Sequence, residues 1–144
     1  MGRLFDAVAA ILAIRDTVTY EGQAAIELEQ LAGDTRASPY LWRFGDATEL
    51  VRAVHDDLAA GRPRAEIAAA FHETVAAGAA AACIEAGEPR VVALYGGSFQ
   101  NLRLLEATRQ RLEDAGFRVL THRRVPPNDG GISYGQAAVV AAQT

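Results

Sequence analysis

Two stretches of this sequence carry residues whose types and spacing could do chemistry. The first is V-V-A-L-Y-G-G-S-F-Q-N, Val91 to Asn101, where a β-branched run meets paired glycines and then a helical pattern. Gly96 and Gly97 would let a ligand approach the backbone, and the helix beyond them would turn its free N–H groups and positive dipole end toward an anion, which suits a nucleotide. A tight strand-to-helix turn uses paired glycines equally well, and the segment matches neither G-x-G-x-x-G nor the P-loop pattern. Asn101 falls one turn into that helix, where it could reach a purine or ribose or simply face solvent.

The second stretch is P-P-N-D-G-G, Pro126 to Gly131, a stiff approach that delivers Asp129 to the mouth of a final helix. A carboxylate there could ligate a hard divalent cation, iron or zinc. It could also serve as an N-cap, because aspartate is a preferred cap residue and no second metal ligand is nearby. Asp6 and Glu29, on the polar faces of two helices, are either solvated or placed to grip ribose hydroxyls. His55, His72 and His122 are widely separated and form no i, i+4 metal pair, so His72 is expected on a helix surface. The lone cysteine, Cys83, lies in an alanine-rich stretch and reads as a buried small hydrophobe.

The elements that must position these residues follow from apolar periodicity. Leu4, Phe5, Val8, Ile11 and Leu12 recur at helical spacing, which predicts a first helix from Gly2 to Ile14. Asp16 to Gly22 reads as a loop or short extended piece. A second helix points Ala25, Leu28, Leu31 and Ala32 inward and stops at Gly33. Tyr40 to Phe44, after Pro39, reads as a strand or extended edge. Asp46, with Glu49 three residues on, caps a helix carrying Leu50, Val51, Val54 and Leu58. Pro63 opens a long helix with Ile67, Phe71, Val75, Gly78 and Ala82 on one side. Arg90 to Tyr95 reads as a buried parallel strand. Phe99, Leu102, Leu105 and Leu112 mark the inner face of the helix that follows, and Phe117 to Leu120 supply a second strand, a right-handed strand–helix–strand unit. A last helix presents Ile132, Gly135 and Val139.

Composition narrows the function classes. Of 144 residues half are hydrophobic and only 7% aromatic, so alanine-lined helices should pack closely in one domain or lobe. A net charge of -4 argues against a nucleic acid or an anionic membrane as main partner, since both need clustered Lys and Arg. No apolar run is expected to reach the roughly 20 residues that span a bilayer, and no signal peptide is evident, so the expected location is cytoplasmic.

Taken together, several segments resemble one family, the HypF carbamoyltransferases: G-R-L-F-D-A-V-A-A, T-Y-E-G-Q-A-A, F-H-E-T-V-A, G-G-S-F-Q-N and T-H-R-R-V-P-P-N-D-G-G-I-S-Y-G-Q-A-A, in the family's order and spacing. Tyr95 and Ser98 depart from the usual S-G-G-V-F-Q-N, and Tyr95 adds bulk at the strand end. The resemblance implies an α/β fold, the C-terminal lobe of an actin-like (ASKHA) ATPase module, with a small sheet flanked by several helices. It implies chemistry in which ATP and carbamoyl phosphate give carbamoyladenylate, whose carbamoyl group passes to the C-terminal cysteine of HypE. Through the related TsaD-type enzymes it implies nucleotide contacts from Asp6, Gly22 and Asn101, with Gly96 and Gly97 beside them, Glu29 as a ribose ligand, and Asp129 on a divalent metal, zinc or iron. The module's first lobe, with the histidine pair that holds the metal, would lie outside the chain. HypE and the remaining HypF domains would be its partners, and an uncovered lobe face could pair two copies. A non-catalytic nucleotide-binding or interaction module is the competing reading, and a TsaD-type tRNA-modifying relative a third.

Overall fold

The computed structural model describes residues 1–43 and 45–143. Helices α1 (Gly2–Ile11), α2 (Gln23–Ala32), α3 (Thr48–Ala59) and α4 (Arg64–Ala86) come first. Strand β1 (Val91–Ala93), helix α5 (Leu102–Asp114) and strand β2 (Arg118–Leu120) follow, and α6 (Ile132–Gln143) ends the chain. Short 3-10 turns at Gly97–Gln100 and Asp129–Gly131 introduce α5 and α6.

α4 is the axis of the core. Ile67, Ala68, Ala69, Phe71, Val75 and Ala76 are fully buried, and the alanines among them let α2 and α5 pack directly onto the helix. Phe71 meets Phe5 of α1 edge to face at 4.9 Å between ring centres, a favourable quadrupole arrangement. At 23 residues and a mean hydropathy of 1.5, α4 is long and apolar enough to cross a bilayer, contrary to the expectation that no such run exists. Most of it is buried inside the protein by the other helices, which explains its composition. A second cluster of Ala80, Leu94, Leu112 and Phe117, with the half-buried Cys83 against it, lies beneath the sheet.

β1 and β2 pair in parallel with Val92 opposite Val119. This is the small sheet expected, but the strands are not buried on both faces: Val92 and Val119 pack on the second cluster while Val91, Ala93, Arg118 and Leu120 are exposed. In α5 the inner face is Leu104, Thr108 and Leu112, whereas Leu102 is 67% exposed. The reason is the helix start: Asn101 Oδ1 accepts from Leu104 N–H, and that cap rotates Leu104 inward.

Other boundaries moved for local reasons. α1 stops at Ile11 because Ala13 adopts a left-handed φ of 50° while Ile14 N–H donates back to Ala9. Tyr40–Arg43 forms no strand: the Tyr40 N–H donates to Thr74 Oγ1 of α4 (2.7 Å), and its hydroxyl donates to Asp57 Oδ2 (2.8 Å), which also takes Arg62. The expected strand's last residue, Phe44, lies outside the described residues. Asp46 is not the N-cap it was expected to be: Ala47 holds that position without a side-chain cap, and Asp46, one residue earlier, accepts from Thr48 N–H (2.8 Å) in a turn that leads into α3. α6 carries no buried residue along its length.

Candidate functional site

The loop between α1 and α2 is fastened by a chain of polar contacts. Arg15 grips Glu27 with two hydrogen bonds (2.9 and 2.6 Å), and Gln23 bridges from Glu27 to the Thr19 N–H and hydroxyl. Arg15 holds the Glu27 carboxyl below its usual range, and Gln23 adds to that effect. Locked this way, the segment Tyr20–Gly22 turns at Gly22, whose φ of 80° is one that a side chain would strain. Gln23 and Arg15 were not among the expected site residues; Gln23 falls within the T-Y-E-G-Q-A-A segment, whereas Arg15 lies outside every motif and carried no signal.

A second fastening joins the two glycine-bearing loops. Gly96 donates its N–H to Pro127 O (2.6 Å), so it ties Val91–Asn101 to Pro126–Gly131 and is not itself on the cleft wall. In the 3-10 turn that follows, the cap is Asn128, whose Oδ1 accepts from Gly130 N–H (3.1 Å). Asp129 is therefore not the capping residue, and its exposed carboxylate is left to the cleft. A Cβ at Gly131 would sit 2.8 Å from Pro126 O, so this turn closes only around glycine.

The expected anion site at the start of α5 is already occupied by the protein. Arg103 N–H donates to Glu29 Oε1 (3.0 Å) and Leu104 N–H to Asn101 Oδ1 (2.8 Å), so a carboxylate and an amide satisfy the helix's first donors. Asn101 is nearly buried, and its Nδ2 lies 3.0 Å from His72 Nε2. His72, expected on a helix surface, is instead fully buried, with Nδ1 donating to Ala68 O (2.7 Å).

These fastenings place Asp6, Gly22, Glu29, Gly97, Asn101 and Asp129 around one open cleft of about 1030 Å³, together with Arg3, Tyr20, Glu21 and Asn128. Residues from opposite ends of the chain meet because α1, α2 and the α5 start share one end of the α4 core. Four carboxylates line the cleft against a single arginine. Such a wall favours hydroxyl donors and cations, and a bare phosphate would need positive charge from elsewhere. Among the described residues no three His, Cys, Asp or Glu side chains are grouped to hold a metal. One carboxylate, Asp129, does not make a metal site by itself.

Over residues 1–136 the chain matches the family model described as carbamoyltransferase, Kae1-like domain, second subdomain. It is 47% identical to the carbamoyltransferase HypF of Rhodobacter capsulatus over 99% of its length, and 41% identical to that of Rhizobium leguminosarum over 96%. It spans only 19% of each of those relatives. Among solved structures, a full-length HypF in its phosphate- and nucleotide-bound form superposes with a TM-score of 0.86 at 38% identity, covering 97% of this chain and 20% of that one. The HypF of T. kodakarensis gives 0.85 at 27% identity, covering 96% of this chain and 19% of that one.

Proposed function

Because the chain belongs to the HypF carbamoyltransferase family, matching its second Kae1-like subdomain, we propose that it forms one wall of the nucleotide site of such an enzyme. The parent reaction would use ATP and carbamoyl phosphate to make carbamoyladenylate. The thiolate of the HypE C-terminal cysteine would then attack the carbamoyl carbon; a C–S bond forms, the C–O bond to the adenylate breaks, and AMP leaves with the electron pair. On this reading Asp6 and the oxygen of Glu29 not used on α5 accept from ribose hydroxyls. Gly22 and Gly97 allow close backbone approach, and Asn101 meets the adenosine. Asp129 would give one ligand to a divalent metal, zinc or iron, completed by the remaining HypF domains, because the described residues group no three donors that could hold it alone. The nucleophile would belong to the partner, because no cysteine lines the cleft and Cys83 packs beneath the sheet.

The observation that carries the reading is the convergence of Asp6, Gly22, Glu29, Gly97, Asn101 and Asp129 on one cleft from positions scattered over the whole sequence. Titrating AMP into the isotope-labelled chain should shift the backbone amides of Gly22, Gly97 and Asn101 and leave those of α3 in place. Asp6→Ala should weaken AMP by about tenfold, the worth of one hydrogen bond to a charged acceptor. Shifts confined to another surface, or none at millimolar AMP, would overturn the reading.

A further inference from the structure

We propose that His72 is a positioning residue for the cleft: through Nε2 it accepts a hydrogen bond from Asn101 and so fixes which way round the Asn101 amide meets the ligand. Ala68 O, 2.7 Å from Nδ1, can only accept, so Nδ1 carries the hydrogen and Nε2 of the neutral ring is left with a lone pair. Among the described residues the partner of that lone pair is Asn101 Nδ2 at 3.0 Å. On the other side of the amide, Leu104 N–H demands an acceptor and receives Oδ1. Flipping the amide would set two donors against each other at Leu104 and two acceptors against each other at His72, both buried. Asn101 is thus held in one orientation, with its oxygen on α5, one N–H on His72 and the second N–H free for the cleft it lines.

The surroundings keep His72 in that state. Phe5 of α1 and Phe71 of α4 pack edge-on to the ring at 5.3 and 5.8 Å. Burial opposes protonation, the Ala68 contact favours it, and the nearby charges Arg103 of α5 and Glu73 of α4 act in opposite directions. A protonated ring would lose its acceptor and release Asn101.

The functional consequence rests on the nucleotide reading above; the geometry of the pair does not, and the test separates them. Nitrogen-detected NMR of the chain should show His72 as a single neutral tautomer, protonated at Nδ1. In Asn101→Asp a carboxylate replaces the donor facing Nε2, so the His72 titration should move up by more than about one pH unit. His72→Phe keeps the ring volume and removes the acceptor, and should weaken AMP by about tenfold, while His72→Gln, which retains an acceptor, should return it to within about threefold. A mixed or Nε2-protonated tautomer, or a titration unmoved by Asn101→Asp, would overturn the pair. An intact pair with AMP affinity unchanged in His72→Phe would overturn the positioning role. If the wild-type chain binds no AMP, the nucleotide reading fails while the NMR arms still decide the pair. Should His72→Phe fail to fold, His72→Met, which also lacks a nitrogen acceptor, takes its place with the same expected loss of about tenfold, and unchanged AMP affinity in it would overturn the positioning role.

Discussion

His72 shows how burial changes what a residue contributes. Loss of solvation lowers its pKa from 6.5 to about 4, against a smaller opposing effect of the Ala68 hydrogen bond. The folded value lies below the unfolded one, so between them the unfolded chain takes up the proton first. Stability from this group is therefore full above about pH 6.5 and falls by about 3 kcal/mol as the pH drops to about 4. Urea unfolding at about pH 4.5 and about pH 7.5 should reveal that loss, and His72→Gln should abolish the part due to this group. An equal acid loss in the variant would mean that other groups dominate. The sequence offered no way to reach this conclusion: F-H-E-T-V-A places His72 beside the apolar Phe71 on a helix, and whether that angle faces core or solvent depends on which helices cover α4. Asp129 illustrates the opposite case. Its neighbour Asn128 takes the cap, a choice between adjacent residues that only the turn geometry makes.

At the scale of elements, a single cap set the register of α5. Leu102 and Leu104 are both plausible core residues by pattern, yet the Asn101 cap and the Glu29 contact leave the first in solvent and the second 1% exposed. Leu104→Ala should cost about 2–5 kcal/mol, and Leu102→Ala should stay within about 0.5 kcal/mol, as chemical denaturation would measure. Similar costs for both would refute the register. The same competition explains the Tyr40 segment. Its aromatic content suits a strand, but its amide finds the Thr74 hydroxyl and its own hydroxyl finds Asp57, so the backbone is satisfied without a strand partner. Burial and the Asp57 carboxylate both raise the Tyr40 pKa, so the hydroxyl remains a donor throughout the ordinary pH range.

The molecule as a whole leaves apolar surface uncovered on the outer face of the sheet and along α6, where Tyr95, Leu120, Ile132, Tyr134, Val139 and Val140 are exposed. Covering such surface is worth about 25 cal/mol per Å², so the chain should associate with itself as its concentration rises. Light scattering should show mass increasing with concentration; a constant monomer mass would count against it. The same openness limits chemistry. The cleft has one wall of carboxylates, no grouped metal donors among the described residues and little to exclude water. Incubated with ATP, carbamoyl phosphate, a divalent metal and a peptide ending in cysteine, this chain should release no AMP above background. Metal-dependent turnover would mean that the cleft is more complete than its donor count implies.

By itself the sequence determined the helix-rich α/β fold, the parallel strand–helix–strand unit and the family, because apolar period, glycine stops and ordered motifs are properties of neighbouring residues. Motif resemblance, and not any spacing that could be measured along the chain, also picked out six residues that line the cleft, Asp6, Gly22, Glu29, Gly97, Asn101 and Asp129, while it misplaced Gly96 and passed over Arg3, Tyr20, Glu21 and Asn128. Tertiary structure alone decided that α4 is a core axis, that Leu104 and not Leu102 faces inward, that Gly96 fastens a loop, and that His72 holds Asn101. Each of those outcomes turns on which partner satisfies a buried donor, acceptor or apolar face, and the partners lie tens of residues away: Asn101 is 29 positions from His72, and Arg103 is 74 from Glu29. Local pattern carries no information about contacts at that separation, so only the packed fold could assign them.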